Sequence, residues 1–213
     1  ICIRGHTIQF TGTQQKFTKL MDFLEEQMES YVFPEAERKA STWRKARDKF
    51  GNIAPDSDGK LGEMLLYIFV EAILGTPLMA YKLKDLGNPN DQVKGADGVF
   101  VGEYQGQQAL LIGESKIHDT LGSAISSTFT SLTRFHDQAN FHENELLLSR
   151  KYPRERAMSG DQLDAALRIL DEEYEILVHP VFVSYSFDKV ASVSADATTR
   201  QEAEIALAKH IDN

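Results

Sequence analysis

Residues Gly95 to Lys116 read GADGVFVGEYQGQQALLIGESK, and the reading of this stretch decides the fold. Two extended segments, Asp97 to Glu103 and Gln108 to Lys116, flank a polar centre. A two-residue turn at Gln105-Gly106 suits a hairpin, because glycine accepts the positive φ such turns require. Tyr104 then faces Gln107, and the same register sets Asp97 across from Glu114 with their β-carbons about 5 Å apart. Strand alternation keeps Lys116 on the face of Glu114. On that face Val99 and Val101 meet Ile112 and Leu110, while Phe100 and Leu111 meet on the other. Apolar residues on both faces imply a sheet covered on two sides, with Asp97, Glu114 and Lys116 together at one end.

Outward from the hairpin, apolar residues recur at helical spacing. From Gln14 to Tyr31 the stripe is Phe17, Leu20, Met21, Leu24 and Met28. Pro34 opens a second, highly charged helix that runs to about Phe50. A loop over Gly51 to Gly59 leads into a third helix, Lys60 to Leu74, stopped by Gly75 and Pro77; apolar almost all round, it belongs in the centre of the fold. Met79 to Leu83 fits a short strand. After the hairpin come helices over Leu121 to Phe135 and Asp161 to Tyr174, a late strand over Glu175 to Tyr185, and a last helix from Thr199 to His210. This order predicts an α/β fold with a mixed central sheet flanked by helices. We expect a single domain over residues 1–213, with an N-terminal helical segment at 1–55 and the core at 56–213.

Bulk properties bound the function. The 213 residues are 42% hydrophobic and 26% charged, enough for one substantial core. No apolar run is long enough to span a bilayer, and no basic-then-apolar leader stands at the N-terminus, so the expectation is no membrane and a cytoplasmic location. The chain starts at Ile1, which suggests missing or trimmed residues. Cys2, the single cysteine, excludes an internal disulfide and any multi-cysteine zinc site. His118, His136 and His142 lack tight zinc spacing. The net charge of −9 argues against tight binding of nucleic acid by this chain alone. Two basic runs soften that: Arg38, Lys39, Arg44, Lys45, Arg47 and Lys49, and then Arg150, Lys151, Arg154 and Arg156. The second run is the candidate nucleic-acid contact; solvated helix or loop faces are the alternative for both.

Two adjacent carboxylates repel, and a shared cation relieves the repulsion. Oxygen ligands suit Mg²⁺ or Mn²⁺ better than zinc. A lysine beside them can orient an attacking water, lower its pKa, or stabilise a phosphorane. These are the parts for hydrolysing a phosphodiester, with Asp97, Glu114 and Lys116 catalytic.

Gly95-Ala96-Asp97-Gly98 and Gly113-Glu114-Ser115-Lys116 resemble the Asp…Glu-X-Lys signature of the PD-(D/E)XK nuclease superfamily, with Ala96 where that signature has proline. The helix Leu61-Gly62-Glu63-Met64-Leu65-Leu66-Tyr67, followed by GADG and LLIGESKIH, is similar to the HamA-like nuclease subunit of Hachiman anti-phage defence, over roughly Lys60 to Phe135. The resemblance implies a restriction-endonuclease-like core and DNA cleavage that depends on Mg²⁺ or Mn²⁺. It also implies a helicase partner and a metal set of Glu63, Asp97 and Glu114, with Ser115 offering only its backbone carbonyl.

Blander readings stand beside these. Asp97 could cap a turn, and Glu114 and Lys116 could form a salt bridge at a sheet end. Glu63 could merely favour the positive end of its helix, in the first turn. Glu71, two turns further and rotated by about 80°, competes with it for the metal site. Two other functions compete with the nuclease: a non-catalytic subunit docking through the Arg38–Lys49 helix, and a phosphoesterase acting on nucleotides.

Overall fold

The computed structural model describes residues 10–11, 14–15, 17–33, 44–46, 48, 59–76, 78–80, 96–137, 161, 164, 168–169, 174–185 and 196–211. Their elements in chain order are β1 (Phe10–Thr11), β2 (Gln14–Gln15), α1 (Phe17–Val32), α2 (Gly59–Leu74), β3 (Leu78–Ala80) and β4 (Gly98–Tyr104). There follow β5 (Gln107–His118), α3 (Leu121–Asp137), β6 (Ile176–Val178), β7 (Val181–Tyr185) and α4 (Arg200–Ile211).

The chain divides into two compact units. The larger, Gln27–Tyr185, contains a mixed sheet with strand order β3-β4-β5-β6, in which β7 also pairs with β5. β3 and β4 are antiparallel, as are β4 and β5, whereas β6 and β7 run parallel to β5. The hairpin register is the one the sequence predicts, with Val99 on Ile112, Phe100 on Leu111, Val101 on Leu110 and Tyr104 on Gln107. Its turn holds Gln105 at φ +54° and Gly106 at φ +81°. Two successive positive φ angles match the twist of the strands that the turn joins.

β5 has 12 residues against 7 in β4, so its second half outruns its hairpin partner. From Glu114 to His118 it is paired by β7 instead. The late strand predicted over Glu175 to Tyr185 is therefore two strands, broken at His179-Pro180. Pro180 has no N–H to offer a ladder, and its carbonyl takes the amide of Glu114 at 3.1 Å. Apolar residues continue across the break, which is why periodicity joined the two.

Helices cover both faces of β5, as the doubly apolar hairpin requires. A β-carbon added to Gly113 would lie 2.9 Å from Leu66 of α2 and 3.2 Å from Phe100, which places α2 on the Leu111–Gly113–Ser115 face. On the other face Val99, Val101, Leu110 and Ile112 cluster with Phe135 of α3 and with Ile169. α2 is the buried central helix expected, with Met64, Leu66, Tyr67 and Val70 in the core. Tyr31 of α1 packs its ring 5.2 Å from that of Tyr67. α3 starts after Thr120, whose Oγ1 accepts the amide of Ser123 at 3.2 Å.

The smaller unit, Ile1–Glu26 with Ser186–Asn213, contains the antiparallel pair β1–β2 and helix α4, which packs on β1. β1–β2 lies in the segment expected to be helical, and α1 begins at Phe17 rather than at Gln14. α4 opens with a reciprocal cap: Thr199 Oγ1 accepts the amide of Glu202, whose Oε2 accepts the amide of Thr199, both at 3.2 Å. Further bonds from Thr198 hold the Glu202 carboxyl below the usual carboxylate range, the side-chain bond contributing most. The charged helix expected from Pro34 to Phe50 and the helix over Asp161 to Tyr174 lie for the most part outside the described residues. Among the described residues no helix is long and apolar enough to cross a membrane.

Candidate active site

The site forms where β5 outruns β4. Successive even-numbered residues of β5 share the α3 face, so the apolar run Leu110, Ile112 leads directly to Glu114 and Lys116. Glu114 is only 2% exposed. Its Oε1 forms an ion pair with Nζ of Lys116, so alternation brings these two predicted residues together as expected. Glu114 Oε2 is buried and meets no hydrogen-bond donor. A buried ionised oxygen without a donor is costly, and a cation removes that cost.

Asp97 reaches the site differently from the sequence reading. The regular ladder ends at Gly98 opposite Gly113. The amide of Asp97 donates to that same Gly113 carbonyl at 3.0 Å. Two residues thus oppose one, as in a β-bulge, and a bulge re-aims the side chain it carries. The carboxylate of Asp97 turns to Ser115, whose amide and hydroxyl both donate to Oδ2 at 2.8 Å. Among the described residues no strand beyond the end of β4 accepts from that amide on this side, and Asp97 Oδ2 takes the role. Ser115, expected to offer only its backbone carbonyl, also holds Asp97 through its N–H and Oγ, both residues being buried. The sequence signal for this was the pairing of a small residue at 115 with Gly62. A β-carbon on Gly62 would fall 3.0 Å from Ser115 Oγ, so α2 approaches β5 closely only because residue 62 is glycine.

Glu63 is half-buried and follows Gly62, in the turn of α2 that packs on Ser115 and Ile117. Because α2 begins at Gly59, Glu63 falls just past the first turn, where the helix-dipole explanation for it is weaker. Glu71 lies about 12 Å further along the helix, toward Thr76, which meets Gly102 rather than the site. Position therefore favours Glu63 over Glu71. Even so, among the described residues no three of the acids, histidines and cysteines are grouped closely enough to hold a metal ion. Glu63, Asp97 and Glu114 therefore do not form such a group.

Arg150, Lys151, Arg154 and Arg156 lie outside the described residues, as does His142. Of the first basic run, Arg44 and Lys45 are described, both exposed in a helical turn. His136 sits in the last turn of α3, where it meets His179, a residue that sequence reasoning did not single out.

Fold and site together define a mixed α/β protein that carries a buried acid and its lysine partner at the open end of a central hairpin. The chain matches the HamA family over residues 1–213 and belongs to it, a family that points to Hachiman anti-phage defence. No curated protein and no solved structure matches the chain.

Proposed function

We propose that this chain is a metal-dependent DNA nuclease of the PD-(D/E)XK kind, the effector of its defence system, working with a helicase. The observation that carries the reading is Glu114 Oε2, a buried carboxylate oxygen with no donor to satisfy it. A salt bridge serving structure alone would have both carboxylate oxygens satisfied at such burial. The donor set is all oxygen, which fits Mg²⁺ or Mn²⁺. Glu114 and Asp97 would hold the ion, assisted by Glu63. When bound, the ion supplies Lewis acidity and a water of lowered pKa.

The protein's own groups then divide the work. Ser115 fixes the Asp97 carboxylate through two hydrogen bonds, so its remaining oxygen keeps one orientation. Lys116 Nζ, on the face of Glu114, sets positive charge against the phosphorane formed as water adds to phosphorus and the leaving oxygen departs. The net charge of −9 makes weak DNA affinity the expectation for the isolated chain, and a helicase would deliver the substrate.

Lys116→Ala should lower plasmid cleavage with Mg²⁺ or Mn²⁺ by about a hundredfold or more, leaving the circular dichroism spectrum unchanged. Glu114→Ala should abolish both cleavage and calorimetric Mn²⁺ binding. Cleavage that persists in both purified variants, assayed with the partner present, would refute the nuclease reading.

A further inference from the structure

His136 and His179 are 43 residues apart in sequence, yet their Nε2 atoms lie 3.1 Å apart. One comes from the last turn of α3 and the other from the break between β6 and β7. His179 Nδ1 lies 3.2 Å from the carbonyl oxygen of Ile112. A carbonyl only accepts, so Nδ1 carries the proton and the Nε2 lone pair of His179 points outward. A backbone carbonyl bound to the far ring nitrogen is the arrangement that orients histidines which ligate metals. Phe135 braces the ring, its plane within 19° of the imidazole at a centroid distance of 6.1 Å. His136 approaches edge-on at 78°, and the pair is open to solvent.

We propose that His136 and His179 form a two-imidazole site for a borderline divalent transition ion such as Zn²⁺, separate from the carboxylate site. Two nitrogens on a tetrahedral Zn²⁺ at 2.0–2.1 Å stand about 3.3 Å apart, within a few tenths of an ångström of the separation seen here. In the metal-free protein His136 donates its Nε2 proton to His179. Metal binding requires only that this proton move to Nδ1 or to solvent as the exposed ring turns its lone pair to the ion. The protein supplies two ligands, and water or a phosphate oxygen completes the shell. Imidazole donors suit zinc, nickel and copper, whereas the all-oxygen set at Glu114 suits magnesium and manganese. The two donor sets therefore suit different metals, and the histidine site does not rest on the nuclease reading.

The test is calorimetric titration of ZnCl₂ into the full chain, previously stripped with chelator, beside His136→Ala, His179→Ala and a His118→Ala control. Wild type and the control should bind one ion per chain alike, with each paired-histidine variant weaker by about tenfold or more. Zn²⁺ should raise the melting temperature of wild type and not that of His136→Ala, since only binding to the native state stabilises it. His136 is exposed, so its truncation leaves the core intact, and Mn²⁺ binding at the carboxylates should not change. Equal Zn²⁺ affinity in wild type and His136→Ala overturns the proposal. So does a loss as large in His118→Ala. If the histidines merely tie α3 to the sheet, both variants melt lower and Zn²⁺ shifts neither wild type nor variant, which also overturns it.

Discussion

On its α2 face β5 carries Leu111, Gly113 and Ser115; on its α3 face it carries Leu110, Ile112, Glu114 and Lys116. The first face grows smaller toward the site, so that Leu66 can lie against Gly113 and Gly62 against Ser115. The second keeps its bulk and changes from apolar to ionised at Glu114. One strand thus joins a close helix contact to a charged site, and rigidity on the first face fixes the groups on the second. Asp97 links the two: it enters at the end of β4 and is held by Ser115, whose neighbour across the interface is Gly62.

Substitutions confined to one face of β5 should separate chemistry from packing. Glu114→Gln should lower cleavage by about a hundredfold or more, because it removes the charge that would hold the cation. It should cost no more than about 1 kcal/mol of stability, since a neutral amide replaces a buried ionised oxygen that has no donor. Gly113→Ala should do the reverse. Its new β-carbon would meet Leu66 at 2.9 Å and Phe100 at 3.2 Å. Overpacking of this sort costs about 1–3 kcal/mol, with cleavage per folded molecule retained. Urea melts and plasmid assays on the same preparations read both effects. If Gly113→Ala loses cleavage while its melt is unchanged, the two faces are not divided in this way.

A smaller effect is expected where the faces join. Ser115→Ala removes one of the two donors to Asp97 Oδ2, and hydrogen bonds to charged groups contribute about 1.5–3 kcal/mol. Stability should fall within that range, and Mn²⁺ affinity should fall with it as the carboxylate gains freedom. A melt that drops while Mn²⁺ affinity holds would assign Asp97 to the scaffold rather than to the metal site.

What was legible in the sequence follows from how each feature is encoded. The register from Val99–Ile112 to Tyr104–Gln107 could be read because both strands alternate about a glycine turn, and a one-residue slip would turn every side chain to the wrong face. The pairing of Glu114 with Lys116 follows from the same period of two. The turn of Asp97 toward Ser115 could not be read, because a bulge displaces one residue and leaves composition unchanged. Pro180 marks the break between β6 and β7, but apolar residues on both sides of it make the two strands read as one. The His136–His179 pair depends on where α3 ends against a strand gap 43 residues later, and no local pattern carries that. The two-residue strands β1 and β2 are too short to show any period.

The turn of the hairpin belongs to neither face and serves as the control for both. Gln105 holds a positive φ of 54° without being glycine, a conformation that strains most L-residues. Its side chain is exposed, and asparagine tolerates this region better, above all before a glycine. Gln105→Asn should therefore raise stability by a few tenths to about 1 kcal/mol. Cleavage and Mn²⁺ binding should stay at wild-type levels, because the substitution lies at the far end of β4 and β5 from Glu114. A gain in stability with unchanged chemistry would show that the effects of Gly113→Ala and Ser115→Ala arise from their places against α2, not from any loosening of the hairpin. If Gln105→Asn instead lowered Mn²⁺ affinity, strain at the turn would be reaching the site along the strands, and the division between the two faces of β5 would have to extend over the whole hairpin.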